Sequence, residues 1–123
     1  MIVGIGIDIV DIGRFRDRLD EALIEALFLP DEIAYASSRV RAQESFAARF
    51  AAKEAAFKAL GAGLSQGLRW HDVEVVREES GAVGLELRGA AREAADGMHV
   101  TGCRVSLSHT RDQALAVVVM VNE

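Results

Sequence analysis

The stretch RFAAKEAAFKALG, Arg49–Gly61, reads as a helix rich in alanine, punctuated by phenylalanine and closed by glycine. At ~100° per residue, Phe46, Phe50 and Phe57 fall within an arc of roughly 40°. Lys53 projects inside the margin of that arc, and Glu54 lies about 40° beyond Phe50. Seven alanines from Ala47 to Ala59 fill the other side, so the helix is apolar nearly all round. Such a helix belongs in a core, and an ionised carboxylate on it needs a partner. The partner is either a salt-bridging Lys53, Arg49 or Lys58, or a bound cation. Adjacent helical residues point about 100° apart, which makes Lys53 a poor partner for Glu54.

Around this helix the other elements fall into place. In IVGIGIDIV, Ile2–Val10, the residues Val3, Ile5, Ile7 and Ile9 alternate with Gly4, Gly6 and Asp8, the period of a strand. The alternation turns Asp8 away from the aliphatic face. The two glycines beside it leave room for another backbone or a ligand. DIGRFRDRLDEALIEALF, Asp11–Phe28, predicts one helix, with Phe15, Leu19, Leu23 and Leu27 four apart. Pro30 opens a short helix, PDEIAYASS. The central helix runs from about Ala42 to Leu60, capped by Gly61 and followed by the glycine-rich loop GAGLSQGL.

HDVEVVRE and VGLELR predict a hairpin, GAAREAADGM a short helix, and CRVSLS with ALAVVVMV a final strand pair across HTRDQ. The last strand is apolar on both faces and should be covered on both, on one side by another subunit. The order of elements predicts an α+β domain over residues 1–123, with a largely antiparallel sheet packed on the long central helix.

Composition narrows the function. The 123 residues are 50% apolar and 27% charged, as expected of a soluble globular chain, and contain no apolar run long enough for a membrane span. The start lacks the basic leader of a signal peptide, and Cys103 stands alone, which fits a reducing cytoplasm. Cys103 reads as core filler rather than a nucleophile. A net charge of −5 disfavours a general nucleic-acid binder. Two basic clusters, Arg14, Arg16 and Arg18 in GRFRDRL and Arg39 and Arg41 in SSRVRAQ, can nevertheless dock an acidic partner.

No hydrolase elbow, zinc cluster, phosphate loop or dinucleotide fingerprint occurs. Magnesium takes one or two protein carboxylates and shares substrate phosphates. Asp8 is the best second ligand beside Glu54, with Arg49, Lys53 and Lys58 offering positive charge to the same polyanion. Ser108, His109 and Thr110 end a strand where polar groups can face a cleft. His71 and His99 read as isolated surface or satisfied residues.

Three segments in register, GIGIDIVDIGRF, RFAAKEAAFKALG and VSLSHT, resemble the holo-acyl-carrier-protein synthase family, the short class of 4′-phosphopantetheinyl transferases. The resemblance spans essentially the whole chain. It implies that Asp8 and Glu54 bind Mg2+ holding the pyrophosphate of coenzyme A. It places Arg49, Lys53, Lys58, Gly61, Gly63, His109 and Thr110 around that substrate, with His109 and Thr110 near the nucleotide end. Lys58 would stabilise developing charge. Arg14, and with it Arg18, would receive the acidic helix of the acyl carrier protein. The family forms trimers with coenzyme A between subunits. Phe57 stands where some members carry a small polar residue. Glu54, a metal-bound water or a carboxylate of the carrier would each serve as base. The alternatives are a metal-dependent nucleotide pyrophosphate hydrolase and a non-catalytic coenzyme A-binding module.

Overall fold

The computed structural model describes residues 1–123. The elements in chain order are β1 (Ile2–Asp11), α1 (Ile12–Arg18), α2 (Glu21–Leu27), α3 (Pro30–Ser37), α4 (Ala42–Leu60), β2 (Val73–Arg77), β3 (Val83–Leu87), α5 (Gly89–Gly97), β4 (Gly102–His109) and β5 (Gln113–Val121). One antiparallel sheet has the order β1-β5-β4; β2 and β3 form a separate antiparallel pair. The α+β class and the antiparallel sheet on a central helix are as the sequence predicts.

Helix α4 is the axis of the molecule. Its alanines from Ala47 to Ala59 are buried, and their small side chains let the sheet come close. Contact is closest at the β1 glycines. A Cβ on Gly6 would stand 1.8 Å from the Ala55 carbonyl oxygen, and one on Gly4 would stand 2.2 Å from that of Ala59. The space those glycines leave is therefore filled by helix backbone. Gly61 ends the helix in the left-handed conformation, φ 69°, and its N–H bonds the Lys58 carbonyl.

The buried face of β5 carries Ala114, Ala116, Val118 and Met120. Its other face pairs with β1 through Ile5↔Val119, Ile7↔Val117 and Ile9↔Leu115. On that face Ile5, Ile7 and Ile9 remain 60%, 51% and 58% exposed, so within one chain the sheet is covered on one side only. Cys103 is half-buried with its sulfur 3.1 Å from that of Met120, and burial pushes its thiol pKa up. Filler is the right description.

The segment Asp11–Phe28 departs from expectation by forming two helices rather than one. Leu19 and Asp20 adopt extended backbone, and Asp20 begins α2 by accepting a hydrogen bond from Leu23 N at 2.8 Å. Asp11 does the same for α1, accepting from Arg14 N at 2.9 Å. An aspartate in the middle of an apolar period had a stronger use as a cap than as a helical interior residue.

Candidate active site

Asp8 lies on the same face of β1 as Gly4 and Gly6, and the close packing of β1 on α4 carries it to the side of Glu54. Lys58, one turn further along α4, donates to Asp8 Oδ1 and to the Ile7 carbonyl, each at 3.0 Å. Burial raises the pKa of Glu54 above the usual carboxylate range; the nearby Asp8 raises it further and Lys58 opposes them. Two carboxylates therefore share one ammonium, and the Glu54 side chain has no ion-pair partner within 4 Å. A carboxylate pair short of positive charge fits a divalent cation that keeps open positions for phosphate oxygens. Of the two origins open for the Glu54 partner, a salt bridge within the helix is not formed.

Two clefts meet at Glu54. One of about 410 Å³ runs along the end of α4, lined by Glu54, Lys58, Gly61, Gly63 and Trp70. The Gly63 N–H there is tied to Gln66 Oε1 at 2.7 Å, which shapes the loop after the helix. The other, of about 650 Å³, is bordered by Asp8 and Glu54 at one end and by Arg14 and Arg18 elsewhere along its rim, with Phe15 and Phe50 in its wall. Asp8, Glu54, Lys58, Gly61, Gly63, Arg14 and Arg18 are thus brought to one continuous region. Arg16 is outside it and lies 3.7 Å from Asp17.

The remaining expected residues are elsewhere. Arg49 and His109 line a third cleft of about 430 Å³ at the opposite end of α4. His109 Nδ1 stands 3.9 Å from Glu44 Oε2. The Thr110 hydroxyl accepts from Asp112 N and Gln113 N, holding the β4–β5 turn. His71 bonds the Glu25 carbonyl at 2.8 Å, a satisfied residue as expected.

Lys53 is a correction. It was expected to face the polyanion, but its side chain is fully buried. Its ammonium donates to Glu32 Oε1 at 2.8 Å, to the Trp70 carbonyl at 3.1 Å and to the Val73 carbonyl. An ammonium has three protons, and all three are used within the protein. Lys53 holds α3, α4 and the entrance to β2 together and has nothing left to offer a substrate.

A family model for the 4′-phosphopantetheinyl transferase superfamily matches residues 4–118. The chain belongs to that superfamily. Among relatives of this transferase, the holo-[acyl-carrier-protein] synthase of Geobacter sulfurreducens is 48% identical over 98% of both chains. The synthase structure from Neisseria meningitidis superposes with a TM-score of 0.88 at 26% identity, covering 99% of this chain and 100% of that one. The Helicobacter pylori synthase, solved in complex with coenzyme A, superposes with a TM-score of 0.82 at 32% identity over 95% and 99%.

Two features of this transferase escaped the sequence reading. Trp70 borders both clefts that meet at Glu54 and packs on Phe50 and Phe57, with ring centroids 5.3 and 5.1 Å away. It is the chain's single tryptophan, placed just after the glycine-rich loop, and that was the available signal. Glu32 is the second. It accepts from Lys53, Leu29 N and Val75 N at 2.8, 2.8 and 2.9 Å, and only the acidic second and third positions of PDEIAY hinted at it.

Proposed function

We propose that this chain transfers the 4′-phosphopantetheine group of coenzyme A to a serine of an apo acyl carrier protein and releases 3′,5′-adenosine bisphosphate. The observation that carries the reading is the meeting of Asp8, Glu54 and Lys58 where two clefts join, one of them rimmed by Arg14 and Arg18. The synthase relatives and the coenzyme A complexes support the same reaction.

Asp8 and Glu54 would hold Mg2+, which when bound neutralises pyrophosphate charge. Lys58 is free to move from Asp8 to a phosphate oxygen, because its other anchor is a single backbone carbonyl. The serine hydroxyl attacks the β-phosphorus, the bond from that phosphorus to the bridging oxygen breaks, and the adenosine bisphosphate carries the electron pair away. Charge in such a displacement spreads over the non-bridging oxygens, so the chain contributes mainly positioning and positive charge. Glu54, a water at the junction or a carboxylate of the carrier would take the serine proton.

The split of expected coenzyme A residues between two ends of α4 supports a site shared by two subunits, with Arg49 and His109 of one facing Asp8 and Glu54 of the next. The exposed Ile5, Ile7 and Ile9 support a closed homotrimer through the bare sheet face. Sedimentation showing a monomer at working concentration would remove the shared site. No helix is long and apolar enough to cross a membrane. A single transferase domain serving fatty acid biosynthesis in the cytoplasm fits these features.

Mass spectrometry of an apo carrier protein after incubation with coenzyme A and Mg2+ tests the reaction. Transfer adds one phosphopantetheine to the carrier. An unmodified carrier with free phosphopantetheine in solution would mean hydrolysis, and an unmodified carrier with intact coenzyme A would mean binding alone.

A further inference from the structure

Glu54 and Trp70 are the two residues that line both clefts meeting at the candidate site, so the passage between the clefts runs between them. Phe50 and Phe57 stand one helical turn before and after Glu54, on the same side of α4. Trp70 packs on both, with ring centroids 5.3 and 5.1 Å away, and Phe15 of α1 stacks on Phe50 at 5.1 Å. The indole therefore lies along the turn of α4 that carries Glu54. Its backbone is held from behind. The Trp70 carbonyl accepts from the buried Lys53 ammonium at 3.1 Å, and the next residue, His71, bonds the Glu25 carbonyl at 2.8 Å. Trp70 itself is half-buried, at the surface of the clefts.

The transfer chemistry leaves a choice of nucleophile to be made. A serine hydroxyl and water attack phosphorus in the same way, and water is in large excess over any carrier. Positive charge around the β-phosphorus serves both alike. Attack by water would join its oxygen to the β-phosphorus and break the bond from that phosphorus to the bridging oxygen. The adenosine bisphosphate would leave with the electron pair, one water proton would pass to solvent, and free 4′-phosphopantetheine would be released. The charged groups at the site, Asp8, Glu54 and Lys58, do not tell the two nucleophiles apart, so the choice depends on access. The apolar groups there are rings, and Trp70 is the one that reaches both clefts.

We infer that Trp70 is a specificity-determining residue: its indole, backed by Phe50 and Phe57, keeps solvent from the place where the carrier's serine attacks, so coenzyme A bound without a carrier is not hydrolysed. This rests on the proposed transfer reaction. A ring face suits the task, because it fills the passage without offering a water the two or more polar partners that would hold it there.

The test measures two rates for the full chain and its variants with coenzyme A and Mg2+: transfer to an apo carrier, and release of free phosphopantetheine with no carrier present. In the unsubstituted chain, hydrolysis should run at less than about one-hundredth the rate of transfer. Trp70→Ala should raise the ratio of hydrolysis to transfer by about tenfold or more, whereas Trp70→Phe keeps an apolar ring and should stay within about twofold of the parent. A merely structural residue would lower both rates together and leave the ratio alone, and that result overturns the inference. Carrier-free hydrolysis in the parent at a rate close to transfer overturns it as well. A second measurement needs no variant: Trp70 is the single tryptophan, so acrylamide quenching of fluorescence reads its ring alone. Quenching should fall by about twofold when coenzyme A and Mg2+ are added at concentrations that saturate transfer. Unchanged quenching would place the ring away from the donor and overturn the inference, even if Trp70→Ala fails to fold. A parent chain that modifies no carrier and yields only free phosphopantetheine would instead overturn the transfer reaction, and the inference with it.

Discussion

Lys53 and Glu54 are neighbours on α4, and they lead opposite lives. Lys53 is surrounded by Glu32 and two backbone carbonyls and is satisfied proton for proton. Glu54 is half-buried beside Asp8, with a single ammonium nearby that is already bonded to Asp8. One helical step of about 100° separates a charge spent on structure from a charge left unspent. The unspent one has chemistry to do. Partner counting, more than burial, tells the two apart: the more deeply buried charge is the structural one.

The strongest way to break this contrast is to remove Glu54 or the carboxylate beside it. Asp8→Ala or Glu54→Ala should lower transfer by roughly a thousandfold or more, about 4 kcal/mol of lost transition-state stabilisation. Thermal melting should show both variants folded, since taking away one of two repelling carboxylates costs the fold little. Unfolding of both, or turnover near that of the parent, would place Glu54 in the same class as Lys53.

Lys53→Met makes the opposite prediction. It leaves Glu32 buried with two backbone donors and no ion-pair partner within 4 Å, and should cost about 3 kcal/mol in denaturant unfolding. Adding Glu32→Gln to the same chain should recover part of that loss. Any activity lost by Lys53→Met should follow the folded fraction, with the KM for coenzyme A unchanged in the folded protein.

The rule extends to α1. Arg14 and Arg18 have no carboxylate within 4 Å and border the cleft that reaches Glu54, whereas Arg16 approaches Asp17. At physiological salt the Debye length is about 8 Å, so the contacting patch outweighs the net charge of −5 when an acidic carrier approaches. Arg14→Glu should raise the KM for carrier by about tenfold, Arg18→Glu by less and Arg16→Glu least. Steady-state kinetics with each substrate varied separately checks the order. An unchanged carrier KM in Arg14→Glu would move the docking site off α1.

The smallest effect concerns pH. Because the folded-state pKa of Glu54 is raised, its ionised form costs the fold, and its contribution to stability improves as pH falls through the raised value. A salt-bridged carboxylate behaves in the reverse sense. Cation binding should weaken over that same fall, at a pH above the ordinary carboxylate range. Denaturant midpoints against pH for the parent and Glu54→Gln check the sign: the difference between them should narrow toward acid.

Much of this was legible in the chain. The alternation in IVGIGIDIV placed Asp8 opposite the aliphatic face, and the all-round apolar helix placed Glu54 where a partner was needed. Both readings depend on local periodicity, which sequence displays directly. Lys53 was misplaced because its partners, Glu32, Trp70 and Val73, come from segments 17 to 21 residues away, and only the packing of α3 and β2 on α4 joins them. The break at Leu19–Asp20 has a different cause: a four-residue apolar period continues across it, and that period does not mark Asp20 as a cap.

The central claim is that Glu54, beside Asp8, lacks an ion pair because the two carboxylates hold a divalent cation with the donor's phosphates. Calorimetric titration of Mg2+ into the full chain in the presence of coenzyme A tests it most directly. Saturable binding of one ion per site in the parent, lost in Glu54→Ala and retained in folded Lys53→Met, is the predicted result. Equal Mg2+ affinity in the parent and Glu54→Ala would contradict it.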